Sequence, residues 1–523
     1  MTGTALVPYT GGGPLPDVPG VRVLGLPRLC AGFDEAERLD RKRHLLLHGS
    51  LPALSGEQLT AVAENVALRG RGGAGFPLAR KLTAVAEAAA RRRVRPVVVV
   101  NGCEGEPACR KDTVLLCRAP HLVLDGALLA AAALGARLLV IGVTKATTEN
   151  SVREALAERG LARRRRGRAL RTQVVRSPER LVSGEASALI RAAEGGPPVP
   201  PGRRARAAES GLGGAPTLLS NAETFAQLAV AARLGPDRYA STGLPGEPGT
   251  ILLTVSGAVA APAVVEAPSG VPLPYVLQAC GAEPAPSGVL VGGYHGAWLD
   301  AATAYGTPLS REALAARGGA LGAGAVLPLS TRTCPLGEAL RIARWLAAES
   351  AGQCGPCRLG LPSLAEMFAD ALGGGGQPAL EAVREGARGV RGRGACKHPD
   401  GAARFVLSAL AAFPDDLAAH VLGDGCGRPT VELLPLPPEE AAGAANGAGE
   451  GAGAVGTAGE RLAVDWTLCE GHGLCAGLLP EAVRLDRDGF PVLSDDVLPG
   501  ALRARAQRAV RRCPALALRL EKP

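Results

Sequence analysis

Three cysteines near the C-terminus have the types and spacing that suit metal chemistry. Cys469 and Cys475 are close together, and Cys513, which is followed by a proline, comes almost forty residues later. Thiolates with this spacing bind iron–sulfur clusters. His472 stands where such patterns normally have another cysteine. A cluster with a thiolate missing is typical of a specialised electron carrier, so this end predicts electron transfer and the rest of the chain should contain an electron source.

A glycine-rich segment at residues 69–77 is the second chemical signal. Its glycines at positions 70, 72 and 75 match the dinucleotide fingerprint by letters. That fingerprint requires a preceding strand, whereas residues 58–68 carry apolar side chains at helical spacing. Glycines also let backbone amides approach a phosphate, and Arg69 and Arg71 add positive charge. The segment predicts either a phosphate-binding loop or a tight turn between two helices.

Length and composition limit the classes of protein to consider. A chain of 523 residues is too long for one core and predicts three or four domains. Aromatic residues make up only 3%, so the cores must be built from Ala, Val and Leu. The net charge of +9 is spread thinly, and the one dense basic run, residues 163–168, has no aromatic neighbours. We therefore expect no nucleic-acid binding.

The thirteen cysteines could form disulfides or bind metal. The N-terminus has neither a basic nor an apolar leader region, so we expect a cytoplasmic protein, in which clustered cysteines favour metal. The longest apolar stretch, residues 121–143, is broken by Asp125 and Arg137. It predicts a helix followed by a buried strand, and no membrane span.

Alternating helix and strand patterns predict α/β architecture up to about residue 240. The β-branched run at residues 97–100 predicts a strand that ends at a Gly/Pro-rich loop. Strand-like runs at residues 251–255 and 288–291 predict a small α+β domain, and residues 334–417 have a helical pattern. A Gly/Ala/Glu-rich segment before the C-terminal sixty residues predicts a flexible linker with a reach of roughly 25–30 Å.

Several motifs occur in one order along the chain. The glycine loop and Lys81 are followed by Asn101-x-x-Glu104-Gly-Glu106-Pro, Gly184-Glu185, Asn221-x-Glu-Thr and Cys354-x-Pro-Cys357-Arg. This order closely resembles the flavin-bearing subunit of NADH:quinone oxidoreductase (complex I) and its relatives in NAD-linked hydrogenases and formate dehydrogenases. The resemblance covers about residues 55–420. It implies a flavin domain, a β-grasp domain similar to soluble-ligand-binding (SLBB) domains, and a helical iron–sulfur bundle.

The C-terminal region has a resemblance of its own. Its cysteines, together with Asp465 and the Pro480-Glu481 pair, are similar to those of the small ferredoxins that serve actinobacterial cytochromes P450. We therefore expect a multidomain α/β protein. Its predicted parts are an N-terminal extension (1–55), an FMN- and NAD-binding α/β domain (56–246), an SLBB-like β-grasp domain (247–328), a helical iron–sulfur domain (329–436), a Gly/Ala linker (437–460) and an α+β ferredoxin (461–523).

The resemblance implies that FMN lies over the glycine loop and that NADH stacks on the flavin. Hydride transfer needs two planar rings held close together in a dry slot. Phe76 would lie against the nicotinamide or adenine, and Glu106 and Glu185 near polar groups of the nucleotide. The residues implied to bind the two cofactors are Gly70, Arg71, Gly72, Gly73, Gly75, Phe76, Lys81, Asn101, Glu104, Glu106, Gly184, Glu185 and Asn221.

Three positions depart from the family pattern. Cys103 replaces an acidic residue, and Ala186 replaces the second of two paired glutamates. The second change leaves NADPH open beside NADH, because the extra phosphate disfavours nearby carboxylates; Arg203, Arg204 and Arg206 could contact that phosphate. Ala351 replaces the first cluster cysteine.

The remaining cysteines define two expected clusters. Cys354, Cys357 and Cys396 could hold a [3Fe–4S] core, or a [4Fe–4S] core with water, Ser350 or His398 as the fourth ligand; a lost cluster is the alternative. In the C-terminal region, a [3Fe–4S] cluster on Cys469, Cys475 and Cys513 is favoured, and His472 could instead ligate a fourth iron.

Together these features predict an NAD(P)H-dependent oxidoreductase. Electrons would pass through FMN and the helical-domain cluster to the fused ferredoxin, and then to an external acceptor such as a cytochrome P450 or another oxygenase. One alternative is a complex I-type subunit in a larger assembly with a thioredoxin-like two-iron partner. The other is an electron-transfer protein without flavin.

Overall fold

The computed structural model describes residues 14–161, 170–202, 206–438, 460–466, 468–494 and 497–521. These residues fall into two units. The first contains residues 14–199, 206–333 and Val431–Leu436, and the second contains 200–202, Cys334–Thr430 and the described residues from 437 onward. The basic run at 163–168, Arg203, Arg204 and all but the ends of the expected linker lie outside the described residues.

The glycine-rich segment of the first unit is preceded by a helix, as its spacing predicted. That helix begins with a capping box, in which the side chains of Ser55 and Gln58 each bind the other residue's backbone amide. This confirms that the strand required by the dinucleotide fingerprint is missing here. The first elements are β1 (Gly20–Val23), α1 (Arg41–His48), α2 (Gly56–Asn65) and α3 (Leu78–Arg92).

A four-stranded parallel sheet with helices on both faces follows. Its elements are β2 (Val97–Gly102), α4 (Lys111–Arg118), α5 (Pro120–Ala133), β3 (Leu138–Val143), α6 (Ala146–Glu158), β4 (Arg171–Arg176), α7 (Ala186–Ala193), α8 (Ala207–Ser210), β5 (Thr217–Asn221) and α9 (Ala222–Ala240). The strand order is β4–β3–β2–β5. Alternate valines of β2 enter two different apolar clusters, because both faces of this sheet are covered.

The first unit also contains a mixed sheet. A separate short hairpin of β6 (Gly243–Leu244) and β7 (Glu247–Pro248) precedes it. The elements that follow are β8 (Thr250–Val255), β9 (Ala263–Pro268), α10 (Leu273–Ala279), β10 (Gly288–Val291), β11 (Ala297–Asp300), α11 (Ala301–Tyr305), α12 (Arg311–Ala316) and β12 (Ala325–Leu329). The six-stranded order is β1–β9–β8–β12–β10–β11. Part of the expected N-terminal surface extension is therefore an edge strand, since β1 pairs in parallel with β9.

The second unit begins with a helical bundle, as expected. Its elements are α13 (Pro335–Ala348), a π-helical turn (Pro356–Gly360), α14 (Leu361–Leu372), α15 (Gly376–Val390), α16 (His398–Ala412) and α17 (Pro414–Leu422). The C-terminal region adds β13 (Arg461–Val464), α18 (Leu474–Leu478), β14 (Val483–Leu485), β15 (Pro491–Leu493), α19 (Arg503–Arg512) and β16 (Leu518–Glu521). Strands β13 and β16 pair antiparallel, as do β14 and β15.

No single helix in the described ranges has the length and apolar character needed to cross a membrane. Two sharply bent pairs, α4 with α5 and α16 with α17, reach that threshold only when each pair is taken together. Most of α5 is buried inside the first unit. The stretch at 121–143 therefore forms a core helix and the buried strand β3, as predicted.

Candidate functional site

The glycine-rich segment forms a hairpin-like loop between α2 and α3. The Gly70 amide donates to the Phe76 carbonyl over 2.9 Å and closes the loop. Gly73 and Gly75 have φ angles of 104° and 62°, which favour glycine. A Cβ at Gly75 would lie 2.8 Å from Nη1 of Arg311. The loop thus exposes backbone without side-chain bulk, as a phosphate-bearing ligand requires.

The loop is held against the N-terminus of α9. The Arg71 amide donates to Oγ1 of Thr224 over 2.9 Å, and a Cβ at Gly72 would lie 3.3 Å from Cβ of Asn221. The Arg71 guanidinium is buried, and its Nε has no hydrogen-bond partner among the described residues. It lies 3.9 Å from Oε1 of Glu223. A buried cationic donor with an unused N–H beside a bare loop suits an anionic ligand.

A buried charge network lies beneath the loop. Nζ of Lys111 lies 3.0 Å from Oδ2 of Asp112, 2.9 Å from Oε2 of Glu223 and 3.4 Å from Oδ1 of Asn221. Burial alone would lower the pKa of Lys111, but the two carboxylates overcome it and raise that pKa above the ordinary lysine value. The Asn221 amide donates to Asp112 over 2.7 Å. The motif at Asn221 contained Glu223 as well, but nothing in the sequence showed that these two residues form one network with Lys111 and Asp112.

Glu104 and Glu106 follow β2 but have different environments. Glu104 accepts hydrogen bonds from the Asp112 and Thr113 amides and the Thr113 hydroxyl, so it caps the start of α4. Glu106 accepts from the Tyr294 amide over 3.1 Å through Oε2, while its Oε1 has no partner among the described residues. Burial raises the pKa of Glu106 to about 7. Of the two, only Glu106 keeps an oxygen for a ligand.

Asn101 and Gly184 meet beside this loop. Nδ2 of Asn101 donates to the Gly184 carbonyl over 2.9 Å, and its Oδ1 accepts from the Cys103 amide over 3.1 Å. Burial raises the pKa of the Cys103 thiol to about 12, so it stays protonated. Glu185 caps α7 by accepting from the Ala188 amide over 2.9 Å. Its carboxylate is therefore already engaged by its own helix.

Lys81 and Phe76 mark the rim of the same region. Nζ of Lys81 donates to the Leu219 carbonyl over 2.9 Å, and burial lowers the pKa of Lys81. The Phe76 side chain is 47% exposed and available for stacking. Asn101 and Asn221 are register partners at the carboxyl ends of β2 and β5, the sheet edge where ligands of α/β proteins bind. The structure therefore brings the residues expected around the glycine loop to one edge of the first unit.

The helical bundle gathers the second set of thiols. Cys354 and Cys357 are buried on one tight turn, in which the Cys357 amide donates to the Cys354 carbonyl over 3.1 Å. Hydrogen bonding between the two side chains lowers the pKa of Cys354 to about 6. The same hydrogen bond raises the pKa of Cys357, and the nearby Cys396 adds to that rise. Nε2 of His398 lies 2.8 Å from the Leu346 carbonyl, which engages that nitrogen.

The C-terminal thiols line one cavity. Cys469, Cys475 and Cys513 lie around it together with His472, and apolar residues such as Val464 and Leu518 complete the lining. The His472 side chain is buried, and the Ala517 amide donates to Sγ of Cys513 over 3.3 Å. Amide donors to cluster sulfurs are a regular feature of iron–sulfur sites.

The two cysteine-bearing loops of the second unit touch each other. The Gly355 amide donates to the His472 carbonyl over 3.0 Å. A Cβ at Gly473 would lie 2.4 Å from the Gly355 nitrogen, so only glycine permits this approach. Arg393 donates from Nε to the Glu470 carbonyl over 3.2 Å and lies 4.6 Å from the Phe490 ring centroid. The sequence contained no signal for this contact.

Comparison with known proteins agrees with this geometry. Family models match the Nuo51 FMN-binding domain over residues 63–230, the NADH-ubiquinone oxidoreductase-F iron-sulfur binding region over 337–420, and a 4Fe-4S single cluster domain over 462–520. The NADH-quinone oxidoreductase F subunit of Streptomyces coelicolor is 32% identical over 423 residues, which span 76% of this chain and 92% of the relative. The chain belongs to the family of NADH-quinone oxidoreductase F subunits.

Other members and solved structures extend the likeness. The F subunit of the Mycobacterium bovis NADH-quinone oxidoreductase is 29% identical over 408 residues, covering 75% of this chain and 90% of that protein. The NAD+-reducing [NiFe]-hydrogenase in its H2-reduced state has a TM-score of 0.66 and 28% identity, and covers 77% of this chain and 68% of that chain. The family and the C-terminal ferredoxin region expected from the motifs are therefore confirmed.

The residues present fit the groups that this family carries. The bare glycine loop, the unused Nε of Arg71 and the unused Oε1 of Glu106 suit a flavin phosphate and a nucleotide. The two thiol sets suit iron–sulfur clusters, with three cysteines each. Ala351 leaves the helical set without a fourth thiolate, as the sequence indicated.

Proposed function

We propose that this family member is an NADH-dependent oxidoreductase that carries its own electron acceptor domain. FMN bound at the glycine loop would supply the conversion of a hydride into single electrons, and iron–sulfur clusters held by the two cysteine sets would supply one-electron transfer. The hydrogen bond between Gly355 and His472 carries this proposal, because it joins the cysteine loop of the helical bundle directly to that of the ferredoxin region. Electrons then reach the ferredoxin region without diffusion between separate proteins.

In this proposal the residues around the glycine loop bind the flavin and the nucleotide. Gly70, Gly72, Gly73 and Gly75 leave room for the phosphate and ring, and Arg71 and Lys81 supply positive charge. Asn101 and Asn221 hold the sheet edge beneath them. Phe76 stacks against the nucleotide, and Glu106 accepts a hydrogen bond from it through its unused oxygen. Glu104 and Gly184 act by positioning, because their acceptor oxygens already bind the protein, and Glu185 positions its helix through Oε2.

The cluster ligands that we propose are the same as those indicated by sequence. Cys354, Cys357 and Cys396 would hold the first centre, where Ala351 leaves no fourth thiolate. Cys469, Cys475 and Cys513 hold the second, with His472 beside it. The same proposal includes a cytoplasmic location, because cysteines that hold metal clusters suit a reducing compartment.

Two finer assignments belong to the same proposal. The mixed six-stranded sheet with α10 is an SLBB-like β-grasp domain. The domain limits are those expected from the sequence, except that β1 of the N-terminal extension joins this sheet and Val431–Leu436 group with the first unit. The external acceptor is a cytochrome P450 or another oxygenase, because the C-terminal region resembles the ferredoxins that serve such enzymes.

Membership of a larger assembly is the second candidate. It is favoured by the F-subunit relatives, of which this chain spans about nine-tenths. Co-purification with a thioredoxin-like two-iron subunit would support it, whereas reduction of an oxygenase by the isolated chain would support the self-contained enzyme. Comparing the rates of reduction by NADH and by NADPH would show whether Ala186 changes the choice between the two donors.

Anaerobic purification, flavin extraction, iron counting and electron paramagnetic resonance before and after NADH test the main proposal. We expect FMN, roughly seven or fewer irons, and a signal from three-iron centres in the oxidised protein. Cys469→Ser should abolish reduction of the external acceptor but leave flavin bleaching by NADH intact, and Cys280→Ser should change neither. A colourless protein would overturn the proposal. If flavin bleaching is lost in Cys469→Ser but not in Cys280→Ser, the proposed order, in which the flavin is reduced before the C-terminal cluster, is overturned.

A further inference from the structure

Cys334, His420 and Cys426 form a cluster in the second unit that belongs to neither set of cysteines described above. Cys334 caps the start of α13, His420 lies in the last turn of α17, and Cys426 follows that helix. One ligand atom from each side chain lies within 4.8 Å of the other two. The electron transfer proposed above uses none of these residues.

The imidazole of His420 is oriented for metal binding. Its Nδ1 lies 3.1 Å from the Leu372 carbonyl oxygen, which can only accept, so Nδ1 carries the hydrogen. In the neutral ring this leaves the lone pair of Nε2 facing Sγ of Cys334, which is 3.3 Å away. Metal-binding histidines almost always donate their other ring N–H in this way, to a carboxylate, a backbone carbonyl or a water.

The two cysteines complete a mixed sulfur and nitrogen donor set. The Gly337 amide donates to Sγ of Cys334 over 3.2 Å, and this contact fixes the position of the sulfur at the amino end of α13. Cys334 is buried, while His420 and Cys426 are partly exposed. The site is therefore reachable by an ion and by water.

We propose that Cys334, His420 and Cys426 bind one Zn²⁺ ion, with water as the fourth ligand. Two thiolates and one imidazole form a donor set that zinc prefers. Ligand atoms around tetrahedral zinc lie roughly 3.5–3.8 Å apart, given bonds of about 2.0–2.3 Å. Small side-chain movements from the observed spacing close such a site. An iron–sulfur cluster fits less well, since clusters are held mainly by thiolates.

His420 comes 86 residues after Cys334 in the sequence, so the ion joins the start of α13 to the end of α17 and to the segment that leaves the helical bundle. The Cys334 amide already donates to the Pro429 carbonyl over 2.8 Å, and Arg428 pairs with Asp416. Zinc that binds only this folded arrangement stabilises it and anchors the segment before the C-terminal region.

The test measures zinc in the full-length, EDTA-washed protein by mass spectrometry. We expect about one zinc per chain in the wild type and in Cys280→Ser, a buried cysteine of the first unit, but at least fivefold less in His420→Gln and Cys426→Ser. X-ray absorption at the zinc edge should fit two sulfur ligands near about 2.3 Å and one nitrogen near about 2.0–2.1 Å.

Two further measurements separate this site from its alternatives. If zinc persists in both variants but disappears in Cys354→Ser or Cys469→Ser, it occupies an iron–sulfur site, and that result overturns the proposal. A wild-type protein without zinc also overturns it. If the variants fail to fold, thiol alkylation of the wild type still decides. Cys334 and Cys426 should react only after a strong zinc chelator is added, and equal reactivity without the chelator contradicts zinc binding.

Discussion

The glycine-loop site of the first unit and the cysteine sites of the second are built in opposite ways. Beneath the glycine loop, Lys111 is fully buried and already paired with Asp112 and Glu223. At the cysteine sites, thiols on short loops face a cavity or one another with an incomplete ligand set. Protein contacts define the first geometry, whereas an inorganic core must complete the second.

Substitutions at the two kinds of site should therefore change different measured quantities. A change in the buried network costs folding free energy whether or not a cofactor is bound. Replacing a cysteine ligand lowers the amount of metal that the protein binds, and the stability falls because less metal is bound. Comparing stability with cofactor content therefore separates the two kinds of site, and four variants probe that separation.

Removing the lysine of the buried network should have the largest effect. Lys111→Met leaves the Asp112 and Glu223 carboxylates without their cation, and we expect the free energy of unfolding to fall by about 3–5 kcal/mol. Denaturant titration of the flavin-free protein measures it. Lys397→Met is the control, because Lys397 is exposed and pairs with Asp400 at the surface, and its loss should stay below about 1 kcal/mol. Similar losses in both variants would contradict a preorganised network.

Glu106 should make stability depend on pH. Its folded-state pKa of about 7 exceeds the ordinary value of 4.5, so the folded protein holds the proton more tightly. Stability is then highest below about pH 4.5 with respect to this group and declines as pH rises through 7, by up to roughly 3 kcal/mol. Glu106→Gln should remove that decline. An unchanged pH profile in the variant would show that Glu106 is not the group responsible.

Gly75→Ala should separate backbone strain from cofactor binding. Alanine at a φ of 62° costs about 1–2 kcal/mol, and its Cβ would crowd Arg311. Gly135→Ala is a matched control, because Gly135 has the same φ with nothing within 4 Å of a new Cβ. Both should lower the melting temperature, but only Gly75→Ala should weaken FMN binding, by about tenfold. Equal FMN affinity in the two variants would exclude the loop from the flavin site.

Arg393→Ala should have the smallest effect and test the contact between the cysteine loops. Its guanidinium binds carbonyls of Glu470 and Asp488 and stacks on Phe490, contacts worth about 1 kcal/mol in total at a partly exposed site. Rapid-freeze paramagnetic resonance should show slower reduction of the C-terminal cluster, by several-fold. Arg388→Ala, an exposed arginine of α15, should leave the rate unchanged. A rate that is the same in both would mean that this contact does not limit transfer.

The local elements were predictable from the sequence. The β-branched run at 97–100 is strand β2, the runs at 251–255 and 288–291 are β8 and β10, and a helix precedes the glycine loop. Each depends on short-range patterns of burial and propensity. The pairing of β1 with β9 was not predictable, because it joins segments about 240 residues apart and β1 is short and mostly exposed.

The sequence by itself determined the chemistry that this protein can perform, because that chemistry depends on residue types and on their order along the chain, such as the glycines of residues 69–77 and the two sets of three cysteines. Only the tertiary structure decided which carboxylates keep an unused oxygen and which are engaged, as the contrast between Glu106 and Glu104 shows. It also decided that Gly355 meets His472 and that Cys334 meets His420. Desolvation and interatomic distance arise from the packing of segments far apart in the chain, and no local pattern encodes them.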